Sequence, residues 1–147
     1  MKILIAVDES PHAREAVRWV ATRSWPAGTA VRLLNSVRSD LYVTGELYAP
    51  AAAELETLID EDAQRSEKMI KERAAELTAR GLSVDMKVTR GDPRFAIVDE
   101  AKEWKCDLVV VGSHGRSGLS ALFLGSVATH VVAHAPSSVL VVKLPRA

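Results

Sequence analysis

Apolar and polar positions along this chain fall into short runs that alternate between two periods. KILIAV, at residues 2–7, is continuous and rich in branched residues, the pattern of a strand covered on both faces, and it stops at Asp8. Ser10 and Pro11 then read as an N-cap followed by proline at the first helical position. Ala13, Ala16, Val17, Val20 and Ala21 repeat behind them at helical spacing. A turn at WPAGT returns the chain to AVRLLNSV, a second strand over residues 30–37. RSDLYVTGELYAPAAA has no clean period and reads as a loop or lid. A long helix is expected from Ala52 to Arg80, with Leu55, Leu58, Ile59, Ala63, Ile70 and Leu77 turned inward and Gly81 ending it.

In the second half, Val84, Met86 and Val88 alternate with Asp85, Lys87 and Thr89, which predicts a half-buried, peripheral strand. Asp92 and Pro93 repeat the cap-and-proline device ahead of a helix that carries Ala96, Ile97, Ala101 and Trp104 inward. CDLVVVG is a central strand, a helix over residues 126–133 ends before Pro136, and SVLVVK is a fifth strand. Strands alternating with helices in this way predict an α/β fold, a doubly wound, mostly parallel sheet with helices on both faces. Ligands in such sheets sit beyond the carboxyl ends of the strands, where Asp8, Ser36 and Gly112 all lie.

A length of 147 residues suits a single domain spanning 1–147, with a core large enough to need no disulfide or metal. The 19 basic and 19 acidic side chains cancel, so no global field draws the chain to nucleic acid or to an anionic membrane, and any anion it binds is recruited locally. The single Cys106 suits a reduced, buried thiol, and the opening MKILIAVDES is too short for a signal-peptide core or membrane span; a cytoplasmic protein is expected.

Four of the eight glycines, Gly112, Gly115, Gly118 and Gly125, fall in the stretch that follows the central strand. Glycine lets a backbone adopt positive φ or come close to a ligand. The stretch is neither a P-loop, since no Gly-Lys-Ser/Thr occurs, nor the dinucleotide fingerprint, whose first two glycines stand two apart. What stands here is G-x2-G-x9-G-S. Gly112 and Gly115 would let the backbone approach a ligand, Gly125 and Ser126 open a helix whose N–H groups attract an anion, and Arg116 supplies a cation. The plainer alternative makes these glycines turn residues and Ser126 an N-cap; it leaves Gly115 unexplained.

This spacing resembles the nucleotide-binding signature of the universal stress protein family, and so do KILIAVDES, GDP, DLVVVGSHGRSGL, LGSVATHVV and HAPSSVLVVK, in the family's order along the whole chain. The resemblance implies a five-stranded parallel sheet of order 3-2-1-4-5 and a homodimer, with ATP, or alternatively ADP or AMP, between the ends of strands 1 and 4 and Mg²⁺ arriving with the nucleotide. By position, Ala6, Val7 and Asp8 resemble the adenine and ribose side, and Ser36 the strand-2 position that meets adenine through its backbone. Val111 and Gly112 would floor the site, and Gly115, Gly125, Ser126 and Val127 would hold the phosphates. The family's nucleotide-free branch lacks this glycine spacing. A carboxylate at Asp8 suits ribose hydroxyls, although an Asx-turn ahead of the first helix would also employ it. SVLVVK, an apolar terminal strand, would leave an exposed edge unless paired in that dimer.

Other constellations carry less. His130 and His134 have the i, i+4 spacing of a zinc pair without its glutamate or a third ligand. VGSHG lacks the first glycine of a nucleophile elbow, and Trp19, Trp25 and Trp104 read as packing residues. Phosphoryl transfer needs a placed base and a metal clamp, and Asp8 comes with no second carboxylate. Three functions follow in order: an ATP-binding sensor or stress-response module, a slow ATPase or autophosphorylating enzyme in the same pocket, and a nucleotide-free dimeric stress protein.

Overall fold

The computed structural model describes residues 1–38, 49–115 and 123–145, with side chains described from residue 54 onward in the segment that starts at 49. Its elements run β1 (Lys2–Ala6), α1 (Pro11–Ala21), β2 (Ala30–Val37), α2 (Ala49–Thr78), β3 (Ser83–Arg90), α3 (Pro93–Trp104), β4 (Leu108–Gly112), α4 (Ser126–His134) and β5 (Ser138–Val142). Every strand pairing is parallel and the order is β3-β2-β1-β4-β5, so β1 lies at the centre, between β2 and β4. The α/β sheet and its 3-2-1-4-5 order are thus as expected.

Side-chain alternation divides the core between the two faces. Ile3, Ile5, Val31, Leu33 and Val110 pack with α1 and α2, through Val17, Val20, Ile70 and Leu77. Leu4, Leu34, Val109 and Val111 pack with α3 and α4, through Ile97, Ala101, Ala128 and Val131. Each fully buried valine, leucine or isoleucine among these contributes about 1.5–3 kcal/mol from area removed from water. Among them the strands of β1 and β4 are covered on both sides, which is why their sequences are continuous apolar runs rather than alternating ones.

Both cap devices form. The Ser10 hydroxyl accepts the Ala13 N–H at 3.1 Å, and the Asp92 carboxylate accepts the Arg94 N–H at 2.9 Å, each with proline in the first turn of its helix. Three expectations shift. Helix α2 starts at Ala49, three residues before the expected Ala52, and takes in Pro50, which a first turn tolerates because its N–H would be unpaired there in any case. The lid segment retains residues 39–48, which lie outside the described residues. In β3, Met86 and Val88 are each 43% exposed rather than half-buried. They belong to an edge strand, the peripheral position expected, and among the described side chains of α2 the buried ones are confined to its later turns, Ser66, Met69, Ile70, Ala74 and Leu77. Leu58, expected inward, is 50% exposed for the same reason.

One buried charge was invisible to periodicity. Glu100 on α3 is only 4% exposed; Arg32 of β2 donates to it at 2.7 Å and Lys87 of β3 pairs with its other oxygen. Burial by itself would raise the Glu100 pKa, but the hydrogen bonds from Lys87 and Arg32 outweigh it and hold the carboxyl below its usual range. Arg32 also pairs with Asp85 at 2.6 Å and lies 4.5 Å from the Trp104 ring centre, so Trp104 is a packing residue, as are Trp19 and Trp25 at 6.1 Å from one another. Cys106 is buried with its Sγ 3.5 Å from the Ser137 hydroxyl, and burial pushes its thiol pKa up, away from reactivity. Among the described residues no helix is long and apolar enough to cross a membrane.

Candidate functional site

The reversal point of strand order lies between β1 and β4, whose carboxyl ends carry Asp8 and Gly112. Val7 is pinned there from both sides: its N–H donates to the Leu34 carbonyl at 2.9 Å and its carbonyl accepts the buried Asn35 amide at 2.8 Å. Ala6 is half-buried against the α3 and α4 side. The Asp8 carboxylate accepts the Ser10 N–H at 2.8 Å, an Asx-turn that launches α1 and leaves its other oxygen facing the loop after β4. The turn use of Asp8 is therefore present, through Oδ1 alone.

The three glycines described in that loop differ in what stands opposite them. A Cβ on Gly112 would lie 2.8 Å from the backbone carbon and Cβ of His12, so the close approach at Gly112 is between β4 and the first turn of α1. A Cβ on Gly125 would lie 3.2 Å from the Ser113 carbonyl oxygen and the His114 Cα, and the Gly125 N–H donates to that same carbonyl at 2.8 Å. Among the described residues, a Cβ on Gly115 would meet only the Asp8 carboxylate, Oδ2 at 3.3 Å. None of the three has positive φ; that conformation is used at Gly28, Gly81 and Gly91. Gly112 and Gly125 thus knit the loop to α1 and to itself, while Gly115 presents its bare face toward Asp8.

Helix α4 begins directly behind Gly125. Its N-cap is Gly125, a residue without a side chain, rather than Ser126, and no side chain among the described residues caps it, so Ser126 is the first helical residue and Val127 the second. A nine-residue helix with an uncapped N-terminus offers the N–H groups and positive dipole end that an anion requires. Asp8, Gly115 and Gly125 are brought together, Gly112 lies against the first turn of α1, Val111 is buried in the core on the α3 and α4 side, and Ser126 and Val127 follow Gly125. Ser36 stands one strand away and its hydroxyl donates to the Gly91 carbonyl at 2.9 Å, so its O–H is already used. Arg116 lies outside the described residues, as does Gly118.

Sequence reasoning missed His12, and weighed Ser113 and His114 only as a nucleophile and base, a role their adjacency in the chain does not suit. Ser113 is 2% exposed and its hydroxyl is 3.1 Å from His114 Nδ1, which orients that ring and buries the oxygen a nucleophile would use. The His114 and His12 ring centres are 5.0 Å apart. Burial, and then the neighbouring His114, pull the His12 pKa below its usual value against the opposing pull of Asp8. The available signal was positional: His12 occupies the first turn of α1, and that turn faces the carboxyl ends of the strands. His130 and His134, by contrast, stack on each other at 4.1 Å, with His134 Nδ1 2.8 Å from the His130 carbonyl, and Phe95 edges onto His130 at 5.0 Å. Among the described residues no group of three or more His, Cys, Asp or Glu is placed to hold a metal.

Two further concavities lie away from this loop. One of about 290 Å³ runs between β3 and α3 past Lys87, Asp99 and Glu100, and its Glu100 is already paired. Another of about 380 Å³ lies at the amino ends of β2 and β3, around Trp25 and Gly81.

The chain's likeness to known proteins agrees with this architecture. The universal stress protein family model matches residues 1–143. Universal stress protein Sll1388 of Synechocystis is 30% identical, covering 97% of each chain. The solved structure of the Methanocaldococcus jannaschii protein MJ0577 superposes with a TM-score of 0.85 at 25% identity, covering 99% of this chain and 97% of that one. At lower identity the same fold occurs in an Archaeoglobus fulgidus universal stress protein solved in complex with dAMP (23% identical, TM-score 0.70, 97% of this chain and 98% of that one). It also occurs in an Arabidopsis thaliana family member with AMP bound (17%, TM-score 0.68, 97% and 91%). By the extent of the family match and by its full-length relative, this chain belongs to the universal stress protein family.

Proposed function

We propose that this protein binds one adenine nucleotide per chain, ATP first and ADP or AMP as its shorter forms, and acts as a nucleotide-dependent sensor or stress-response module. The observation that carries this reading is the bare face of Gly115, opposite Asp8 Oδ2 and beside the uncapped start of α4. In this reading Asp8 receives the ribose hydroxyls, and the backbone at Ala6, Val7 and Ser36 borders the base. Val111 and Gly112 form the floor, and Gly115, Gly125, Ser126 and Val127 hold the phosphates with Arg116. Mg²⁺ travels on the phosphates, which supply its ligands. The family members solved with dAMP and AMP support the adenine part. The protein works in the cytoplasm as a homodimer joined along β5, which is an edge strand whose Val139, Leu140 and Val141 remain half-buried.

The experiment is a thermal-unfolding series on nucleotide-stripped protein with ATP, ADP, AMP and GTP, run beside light scattering. ATP at 100 times its Kd should add about 2.7 kcal/mol of stability, visible as an upward shift of several degrees, with GTP weaker, and the scattering mass should be twice the 15.9 kDa chain. No shift with any adenine nucleotide at millimolar concentration would overturn the nucleotide reading. A 15.9 kDa particle at micromolar concentration would overturn the dimer.

A further inference from the structure

The two histidines at the mouth of the site come from different elements and are each held in place. His12 is fixed through its backbone, because Gly112 brings β4 against its carbonyl carbon and Cβ, and its Nδ1 is buried without a hydrogen-bond partner. An unpaired buried acceptor is tolerated better than an unpaired buried N–H, so the neutral ring carries its proton on Nε2 and can present that N–H to a ligand. His114 is fixed from the other side by Ser113, Oγ to Nδ1 at 3.1 Å. The rings meet at 5.0 Å with 51° between their planes, and the segment that carries His114 runs on directly to Gly115.

We propose that His12, paired with His114, contacts the anionic end of the ligand in this site, and that binding of the anion draws a proton onto the His12 ring. This rests on the adenine-nucleotide reading above. Among the described residues, the titratable groups that bear on His12 are His114, from the segment after β4, and Asp8, from the segment after β1. Burial and the neighbouring His114 ring 5.0 Å away both oppose charge on His12, and one carboxylate offsets them only in part, so its pKa lies below the usual value and the neutral ring is favoured. A polyphosphate beside the rings reverses that balance, because an opposite charge within about 4–6 Å raises a histidine pKa by about 1–3 units. The bound-state pKa is then the higher one. By linkage the added affinity is fully present below the free-state pKa, and it is lost as pH rises through the bound-state pKa. Adenosine, which carries no phosphate, gains nothing.

The test is calorimetric titration of ATP and of adenosine into wild type, His12→Gln and His114→Gln between pH 6 and 8, with each pH repeated in two buffers of different ionisation enthalpy. Glutamine keeps a donor and the Cβ that packs on Gly112 but cannot titrate, and unfolding midpoints verify that the variants are folded. In wild type, ATP binding is expected to take up a fraction of a proton near pH 7. The ratio of wild-type to His12→Gln affinity should grow by about tenfold toward pH 6, the change that one proton linked over one pH unit gives. The phosphate titrates near pH 6 in every sample, so that ratio isolates the imidazole. Equal ATP affinity and equal proton uptake in wild type and His12→Gln would overturn the inference and leave nucleotide binding standing. Absence of ATP binding to wild type at every pH would overturn both.

Discussion

Gly115→Val is expected to lower ATP affinity by at least about 100-fold, equivalent to about 2.8 kcal/mol, while leaving the protein folded with its unfolding midpoint within a few degrees of wild type. The two halves of this result have separate causes. The fold survives because, among the described residues, a Cβ at Gly115 meets a single atom, Asp8 Oδ2 at 3.3 Å, and the position needs no left-handed backbone. Binding is lost because the valine methyl groups fill the space between Asp8 and the start of α4, which the proposed function gives to ribose and phosphate. Calorimetric titration of ATP into the folded variant checks this. Retained affinity would remove Gly115 from the site.

Gly112→Val is expected to fail in the opposite order, with the fold disturbed first. Its Cβ would lie 2.8 Å from the carbonyl carbon and Cβ of His12 and 3.0 Å from the Ala13 nitrogen, all belonging to the first turn of α1. Backbone cannot swing aside as a long side chain can. On the other side β4 is held by its pairing with β1 and by the Gly112 to Val142 register with β5, so neither element yields cheaply. Overpacking of this kind costs about 1–3 kcal/mol and occasionally more, which for a chain of this size lowers the midpoint by roughly 3–10 °C. Thermal unfolding followed by circular dichroism measures it. A midpoint equal to that of wild type would show that α1 is not pressed against β4 at this position. Opposite outcomes for two glycines three residues apart would separate packing from ligand approach.

That difference marks how far the sequence could be read. Element types and order were legible because local signals agreed: the Ser10-Pro11 and Asp92-Pro93 devices open α1 and α3, and the continuous apolar runs of β1 and β4 match strands buried on both faces. Strand order came from the family resemblance, since no pattern within a strand states its neighbours. The start of α2 was misplaced because Pro50 reads as loop chemistry, although the first turn of a helix accepts it. Met86 and Val88 alternate as a strand should, and the peripheral position expected of β3 is the one it takes, but alternation cannot tell how little would cover these two side chains there. Glu100 carries no signal of its own in the sequence; its partners Arg32 and Lys87 arrive from two strands, a long-range fact.

At the site, spacing picked out Gly115, Gly125 and Asp8 and the structure places them side by side. It could not divide the glycines by what faces them, nor anticipate Gly125 in place of Ser126 as the N-cap of α4. His12 escaped notice because a histidine in a first helical turn has no pattern of its own; only the return of β4 beside α1 brings it to His114. Asn35 escaped for a similar reason, being a polar residue on a buried strand whose purpose, holding the Val7 carbonyl, depends on the neighbouring strand.

The central claim is that an adenine nucleotide sits where β1, β4 and the start of α4 converge, and the most direct measurement is an amide NMR titration of the ¹⁵N-labelled, nucleotide-stripped protein with ATP. The account predicts saturable shifts concentrated at Val7, Asp8, Gly112, Ser113, Gly115, Ser126 and Val127, with the amino ends of the strands around Trp25 and Gly81 unmoved. Shifts centred elsewhere, or none at millimolar ATP, would contradict it.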